Sequence, residues 1–201
     1  MIKITDYDSL NPIIGFPKTG DQSFMIERES PQGADEFFFE LIGHTSSVIG
    51  TVNKDLALED LHDLLKEIRP EKRQEDGFYQ LWLADMAGIC EKFCEMVGKD
   101  TIKFTLSAQR GCKRFHVDNV PFRLLVTYAG AGTEWINDHA ANRTAFLNGA
   151  PNEDIITDQS QVKQMNSWDI AVFRGGPEGL LHRTPDIALK NKSVFMRLDV
   201  L

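Results

Sequence analysis

An α+β fold is what this 201-residue sequence predicts, on three observations. Apolar residues recur every three or four positions between residues 55 and 97. The period then changes to two after Asp100, and glycine-bearing turns separate the segments that follow. A helical layer followed by a largely antiparallel β unit accounts for all three. Helices covering one sheet of a β-sandwich or barrel would bury both apolar sets. The chain reads as a single domain, 1–201, with residues 1–99 as an N-terminal extension and helical layer and residues 100–201 as the main part of the β core.

Taken in order, residues 1–50 are mixed. Ile13-Ile14-Gly15-Phe16-Pro17 and Phe37-Phe38-Phe39-Glu40-Leu41-Ile42 read as short buried elements, separated by a polar stretch at 27–36. From Asp55 onward Leu56, Leu58, Leu61, Leu64, Leu65 and Ile68 give a helical spacing that ends at Arg69-Pro70, with Asn53 or Asp55 as the cap. A second helix is predicted over 75–97, its apolar face built by Phe78, Leu81, Trp82, Met86, Ile89, Phe93, Cys94 and Val97, with Gly98 at the C-terminal cap position. Strands follow. Ile102, Phe104 and Leu106 alternate with polar residues. Residues 120–128, 170–173 and 193–200 are rich in strand formers, and Leu180-Leu181-His182 begins a strand directly after a Gly/Pro loop.

Composition excludes several classes. Lys and Arg number 22 against 30 Asp and Glu, a formal charge of −8 without a long basic block, which argues against broad nucleic-acid binding. Three cysteines (Cys90, Cys94, Cys112) are too few for a disulfide framework. Cys90 and Cys94 share a helix face and read as core. Met1-Ile2-Lys3-Ile4-Thr5-Asp6 is followed by no apolar region of the secretory kind, and no run approaches the ~18 apolar residues of a spanning helix. The expectation is a soluble, cytoplasmic protein with no membrane partner.

The chemistry concentrates in Arg114-Phe115-His116-Val117-Asp118-Asn119-Val120 and in His182, 64 residues after Asp118. In an extended strand, side chains two apart share a face, so His116 and Asp118 can address one point. A second imidazole from a distant strand would complete two histidines and one carboxylate, a set that leaves one side of a metal open and suits non-haem Fe(II). Cys112, an even step before His116, could share that face and would shift preference toward zinc. His139 is a second-choice ligand, while His44 and His62 read as structural or exposed. Thr133-Glu134-Trp135 with Asp138, His139, Asn142 and Arg143 forms a polar loop beside the expected mouth.

These residues resemble a known fold family. His116-x-Asp118, the later His182 and Arg197 in the final strand look like the double-stranded β-helix, or cupin-like jelly roll, of Fe(II)/2-oxoglutarate-dependent dioxygenases. Residues 168–175, Trp-Asp-Ile-Ala-Val-Phe-Arg-Gly, resemble the Gly-Asp-x-x-x-Phe-x-Gly turn and strand of that fold. Here Trp168 stands at the glycine position, which implies a turn built differently. Three segments, 112–118, 125–135 and 181–185, more closely resemble a bacterial family, domain of unknown function 1826, over roughly residues 75–201.

The resemblance implies Fe(II) at His116, Asp118 and His182. Arg197 would fork onto the distal carboxylate of 2-oxoglutarate, with Arg183 and Arg123 as rivals and Tyr128 or Thr127 as a further donor. It also implies a metal-handling GTPase as a possible neighbour. Two other readings use the same three ligands or none. One is a zinc-binding protein, either hydrolase or metal-homeostasis partner; the other is a cupin-like binding module without catalysis. The substrate, small molecule or peptide, is not legible.

Overall fold

The structure is a computed structural model, and it describes residues 7–44, 47–68 and 77–201. Among the described residues nine strands make two sheets. The larger holds β1 (Ser23–Ile26), β7 (Ile170–Arg174), β4 (Phe122–Ala129), β9 (Val194–Val200), β3 (Thr101–Ser107) and β2 (Val48–Asn53), in that spatial order. The smaller holds β6 (Lys163–Gln164), β5 (Glu134–Ile136) and β8 (Leu181–Arg183). All pairings are antiparallel. From β3 onward the chain alternates between the sheets. It leaves β3, pairs once with β8 at His116, returns as β4, crosses to β5 and β6, and then passes through β7, β8 and β9 in turn.

The central strands β7, β4 and β9 of the larger sheet are buried on both faces over most of their length. Leu124, Val126 and Tyr128 of β4, Ile170 and Val172 of β7 and Met196 and Leu198 of β9 point into one core with the helices. That core is filled by α3 (Gly77–Val97), α2 (Ala57–Leu65), α1 (Ala34–His44) and a 3₁₀ segment, Tyr7–Lys18. The other face carries Leu125, Ala171 and Phe173, which meet Trp135, Met165 and Leu180 of the smaller sheet side. Helices therefore cover one sheet face and the second sheet covers the other, so the middle of β4 and of β7 shows no alternation with polar residues as a half-solvated strand would.

The predicted helices are present with shifted limits. Asn53 accepts from the Asp55 amide, capping a short 3₁₀ turn before α2. Gly98 closes α3 with a φ of +65°, the left-handed conformation that costs glycine least. The proline stop at 69–70 and the first residues assigned to the second helix, 75–76, lie outside the described residues. Residues 37–42 belong to α1, and residues 13–17 to the 3₁₀ segment. The N-terminal half is more than a helical layer, because it also supplies β1 and β2, the two edges of the larger sheet. Among the described residues no helix is long and apolar enough to cross a membrane.

Candidate metal centre

His116, Asp118 and His182 converge as the sequence predicts. One ligand atom from each lies within 4.8 Å of the others, the one such group of three among the described residues. The imidazole centroids are 4.4 Å apart, and His182 Nε2 lies 3.5 Å from Asp118 Oδ2. The local backbone differs from the predicted strand. Only His116 is bridged, by reciprocal 3.0 Å bonds with His182, and Asp118 sits in irregular chain that turns into β4.

Several contacts fix this segment. The Asn152 side chain accepts from the Phe115 amide and donates to the Lys113 carbonyl, while Arg114 donates to the carbonyls of Phe146 and Ala150. The Gly176 amide donates to the Asp118 carbonyl at 2.7 Å. The turn after β7 thereby clamps the acid's backbone.

Both histidines present the same edge. Nδ1 of His116 is 3.1 Å from the Arg114 carbonyl, and Nδ1 of His182 is 3.0 Å from the Leu180 carbonyl. A carbonyl can only accept, so each Nδ1 carries a proton, and in the neutral ring Nε2 is the nitrogen with the lone pair. Burial, reinforced by the neighbouring His116, pulls the His182 pKa down to about 3, so this imidazole is neutral near pH 7. Burial also pushes the Asp118 carboxyl upward, against the pull of Arg123.

Asp118 Oδ1 is taken by Arg123, which also reaches Asp199 at 2.6 Å, whereas Asp118 Oδ2 is buried with no hydrogen-bond partner. A buried carboxylate oxygen facing two lone pairs is repulsive unless a cation sits among them. The donor set therefore fits a divalent metal, with outer contacts that orient both imidazoles.

The remaining candidates separate by strand parity. Arg197 lies on the inner face of β9, paired across the sheet with Leu125 and Thr105, and its Nε is 3.1 Å from Asp199 Oδ2. That contact lacks hydrogen-bond geometry, so the Nε still counts as unsatisfied. Thr127 shares the inner face.

Tyr128 does not, and its predicted cosubstrate role is corrected. It points into the helical core at 2% exposure, stacks near Phe38, meets Trp168 edge-on, and donates to Asp85 at 3.0 Å. Arg183 is corrected likewise. As the neighbour of His182 in a strand it must face away, and its guanidinium is bound to Glu134 at 2.6 Å and lies over Phe115. Cys112 is exposed with a φ of +55°, which breaks the alternation that would have brought it to His116 and Asp118. His139 is exposed in a 3₁₀ turn, and Cys90 and Cys94 are buried core residues of α3.

Trp168 holds a φ of +75°, the region that favours glycine, so the turn before β7 keeps a glycine-type backbone despite the substitution. Its indole packs edge-on against Tyr128 at 4.9 Å. Three residues were not legible as site residues. Asp199 knits Arg123 to Arg197, Thr105 leaves a buried hydroxyl beside Arg197, and Arg110 reaches into the inner face from the chain after β3. Asp199 carried a weak signal, as an acid two residues from Arg197 in an apolar strand; Arg110 carried none.

The chain belongs to the family described as Protein of unknown function (DUF1826), whose model matches residues 19–199. The match extends well before the motif-bearing segments, into β1 and the helical layer. No curated protein matches. Among solved structures, the chain is similar to the dioxygenase for auxin oxidation of rice, at 10% identity and a TM-score of 0.47, over 96% of this chain and 78% of that one. It is also similar to a prolyl hydroxylase from Trichoplax adhaerens, solved with a hypoxia inducible factor peptide, at 8% identity and a TM-score of 0.49, over 97% and 90%. A third likeness is to dioxygenase for auxin oxidation 1 from Arabidopsis thaliana in complex with 2-oxoglutarate, at 8% identity and a TM-score of 0.42, over 98% and 89%.

Proposed function

We propose that this chain is a cytoplasmic non-haem Fe(II)/2-oxoglutarate-dependent dioxygenase, acting on a substrate not yet identified, with a double-stranded β-helix as its core. The observation that carries the reading is the pair of Nε2 lone pairs and the unsatisfied Asp118 Oδ2 directed at one point between two sheets. Alternation of the chain between the sheets from β3 to β9 supports the β-helix assignment.

His116, Asp118 and His182 would hold the iron by one side, leaving the rest of its coordination for cosubstrate and dioxygen. Bound iron would couple the oxidative decarboxylation of 2-oxoglutarate to the reduction of dioxygen, the oxidant for the substrate. The protein's own part is placement. The carbonyls of Arg114 and Leu180 hold the imidazoles in the ligand tautomer. Arg123 occupies Oδ1 of Asp118, so that the carboxylate offers the metal a single oxygen. Arg197 would bind the distal carboxylate, and the apolar residues between the sheets exclude water.

Protein reconstituted anaerobically with Fe(II) is expected to develop a weak visible absorption band on addition of 2-oxoglutarate. His182→Ala should abolish metal binding. Arg197→Gln should retain iron and weaken 2-oxoglutarate by about 10- to 100-fold, the worth of a charge-assisted contact. Tight zinc binding with no response to 2-oxoglutarate on the Fe(II) form would overturn the oxygenase reading in favour of a zinc protein using the same three ligands. Zinc loading alone decides nothing, because these ligands prefer zinc over Fe(II) in any case.

A further inference from the structure

Arg110 stands apart from the other inward-facing guanidiniums. Arg123 and Arg197 are matched by Asp118 and Asp199, two cations against two acids. Arg110 meets no carboxylate among the described residues. Its Nη2 donates to Thr133 Oγ1 at 2.8 Å, its Nη1 makes only long contacts to Thr127 Oγ1 (3.5 Å) and the Ala131 carbonyl (3.4 Å), and its guanidinium lies 4.6 Å over the Phe195 ring. Burial alone brings its pKa down to about 10, so it remains charged at neutral pH. A half-buried cation without a counter-ion is costly unless an anion joins it.

Its position differs from that of the proposed cosubstrate anchor. On the inner face, Arg123 pairs with Asp199, Leu125 with Arg197, and Thr127 with Phe195. Successive rows of one face are about 7 Å apart along the strands. The Asp118–Arg123 contact thus sits at the first row, Arg197 projects from the second, and Arg110 lies over the third. The chain on both sides of Arg110 is exposed, which puts it at the rim. Leu125, Trp135 and Met165 share one buried apolar cluster; Trp135 pairs with His182 and the Met165 amide bonds Thr133, the residue that Arg110 holds, and the buried Trp135 Nε1 is a donor with no partner.

We propose that Arg110 is the anchor for a carboxylate on the substrate, and that this substrate is an organic acid whose apolar body lies along Leu125, Trp135 and Met165. The existence of an anion site here is independent of the oxygenase reading. Its assignment to substrate instead of cosubstrate rests on that reading, because a dianionic cosubstrate with Fe(II) leaves the matched acids and arginines neutral and Arg110 as the residual positive charge.

The test uses the full chain, calorimetric titration, and benzoate, benzamide and 2-oxoglutarate as probes. Benzoate should bind the metal-free protein and benzamide should not. Arg110→Gln should weaken benzoate at least 10-fold while leaving 2-oxoglutarate on the Fe(II)-loaded protein within about threefold; Arg197→Gln should do the reverse. Should Arg110→Gln fail to fold, Arg110→Lys and Thr133→Val serve instead. Each keeps the charge but loosens the fork, and each should weaken benzoate without moving 2-oxoglutarate. The proposal is overturned if benzamide binds as well as benzoate, if the Arg110 variants bind benzoate as tightly as the parent, or if they lose 2-oxoglutarate. Failure of Fe(II) or 2-oxoglutarate to bind the parent, with Arg110-dependent benzoate binding intact, would sink the oxygenase reading and leave the anion site standing.

Discussion

At the scale of single residues, the centre is decided by which way each side chain leaves its strand. His182 and Arg183 are neighbours in β8, and only one of them can face the ligand point. The hydrogen bond from Nδ1 of His182 to Leu180 and the ion pair of Arg183 with Glu134 put them on opposite sides. Thr127 and Tyr128 divide in the same way. Because the Tyr128 phenol serves Asp85 under the helices, Tyr128→Phe should cost about 1–3 kcal/mol of stability through a buried hydrogen bond to a charged acceptor. The same variant should leave Fe(II) and 2-oxoglutarate affinities unchanged. Chemical denaturation and cosubstrate titration measure the two effects separately, and a lost cosubstrate affinity in a stable variant would restore Tyr128 to the site.

At the scale of elements, the turn after β7 holds Asp118 in place. Gly175 has no side chain because there is no room for one: a Cβ there would press on the Val120 carbonyl and lie 2.6 Å from that of Asp118. The Gly176 amide then bonds the same Asp118 carbonyl. Gly175→Ala should therefore push the Asp118 segment off Arg123 and out of line with the imidazoles. Metal affinity is expected to fall about 10- to 100-fold, the range seen when outer contacts of a metal site are removed, with the circular-dichroism spectrum retained. Unchanged metal affinity would mean that the turn does not position the acid. Trp168 makes the complementary point. A side chain can occupy a glycine-type turn when its burial, here 4% exposed against Tyr128 and Phe38, offsets the strain.

At the scale of the whole molecule, the β half depends on the helices. Leu124, Val126, Val172, Met196 and Leu198 all bury against the layer formed by residues before 100. Exposing five such side chains costs on the order of 10 kcal/mol, comparable with the total stability of a typical domain. A fragment of residues 100–201 should therefore fail to form a folded monomer, even though it contains His116, Asp118 and His182. Size-exclusion chromatography and near-ultraviolet circular dichroism would detect this. A monodisperse fragment with native aromatic signals would show that the β core is self-sufficient.

The β half, its glycine turns and the two main helices were legible because they rest on short-range regularities, a period of 3.6 and a period of two; His116 and Asp118 do meet, but through irregular chain and not through the strand alternation that suggested them. Face assignment was not. The run Leu124-Leu125-Val126-Thr127-Tyr128 lies in a sheet covered by helices on one side and by a second sheet on the other, so polarity does not alternate along it and nothing local says which residues look inward. Arg110 gave still less, since a charged residue between exposed neighbours reads as solvated chain. Local spacing offered His116 and Asp118 as a pair; long-range strand pairing brought His182 to them and chose their companions, because only the assembled sheets determine which buried face each residue joins.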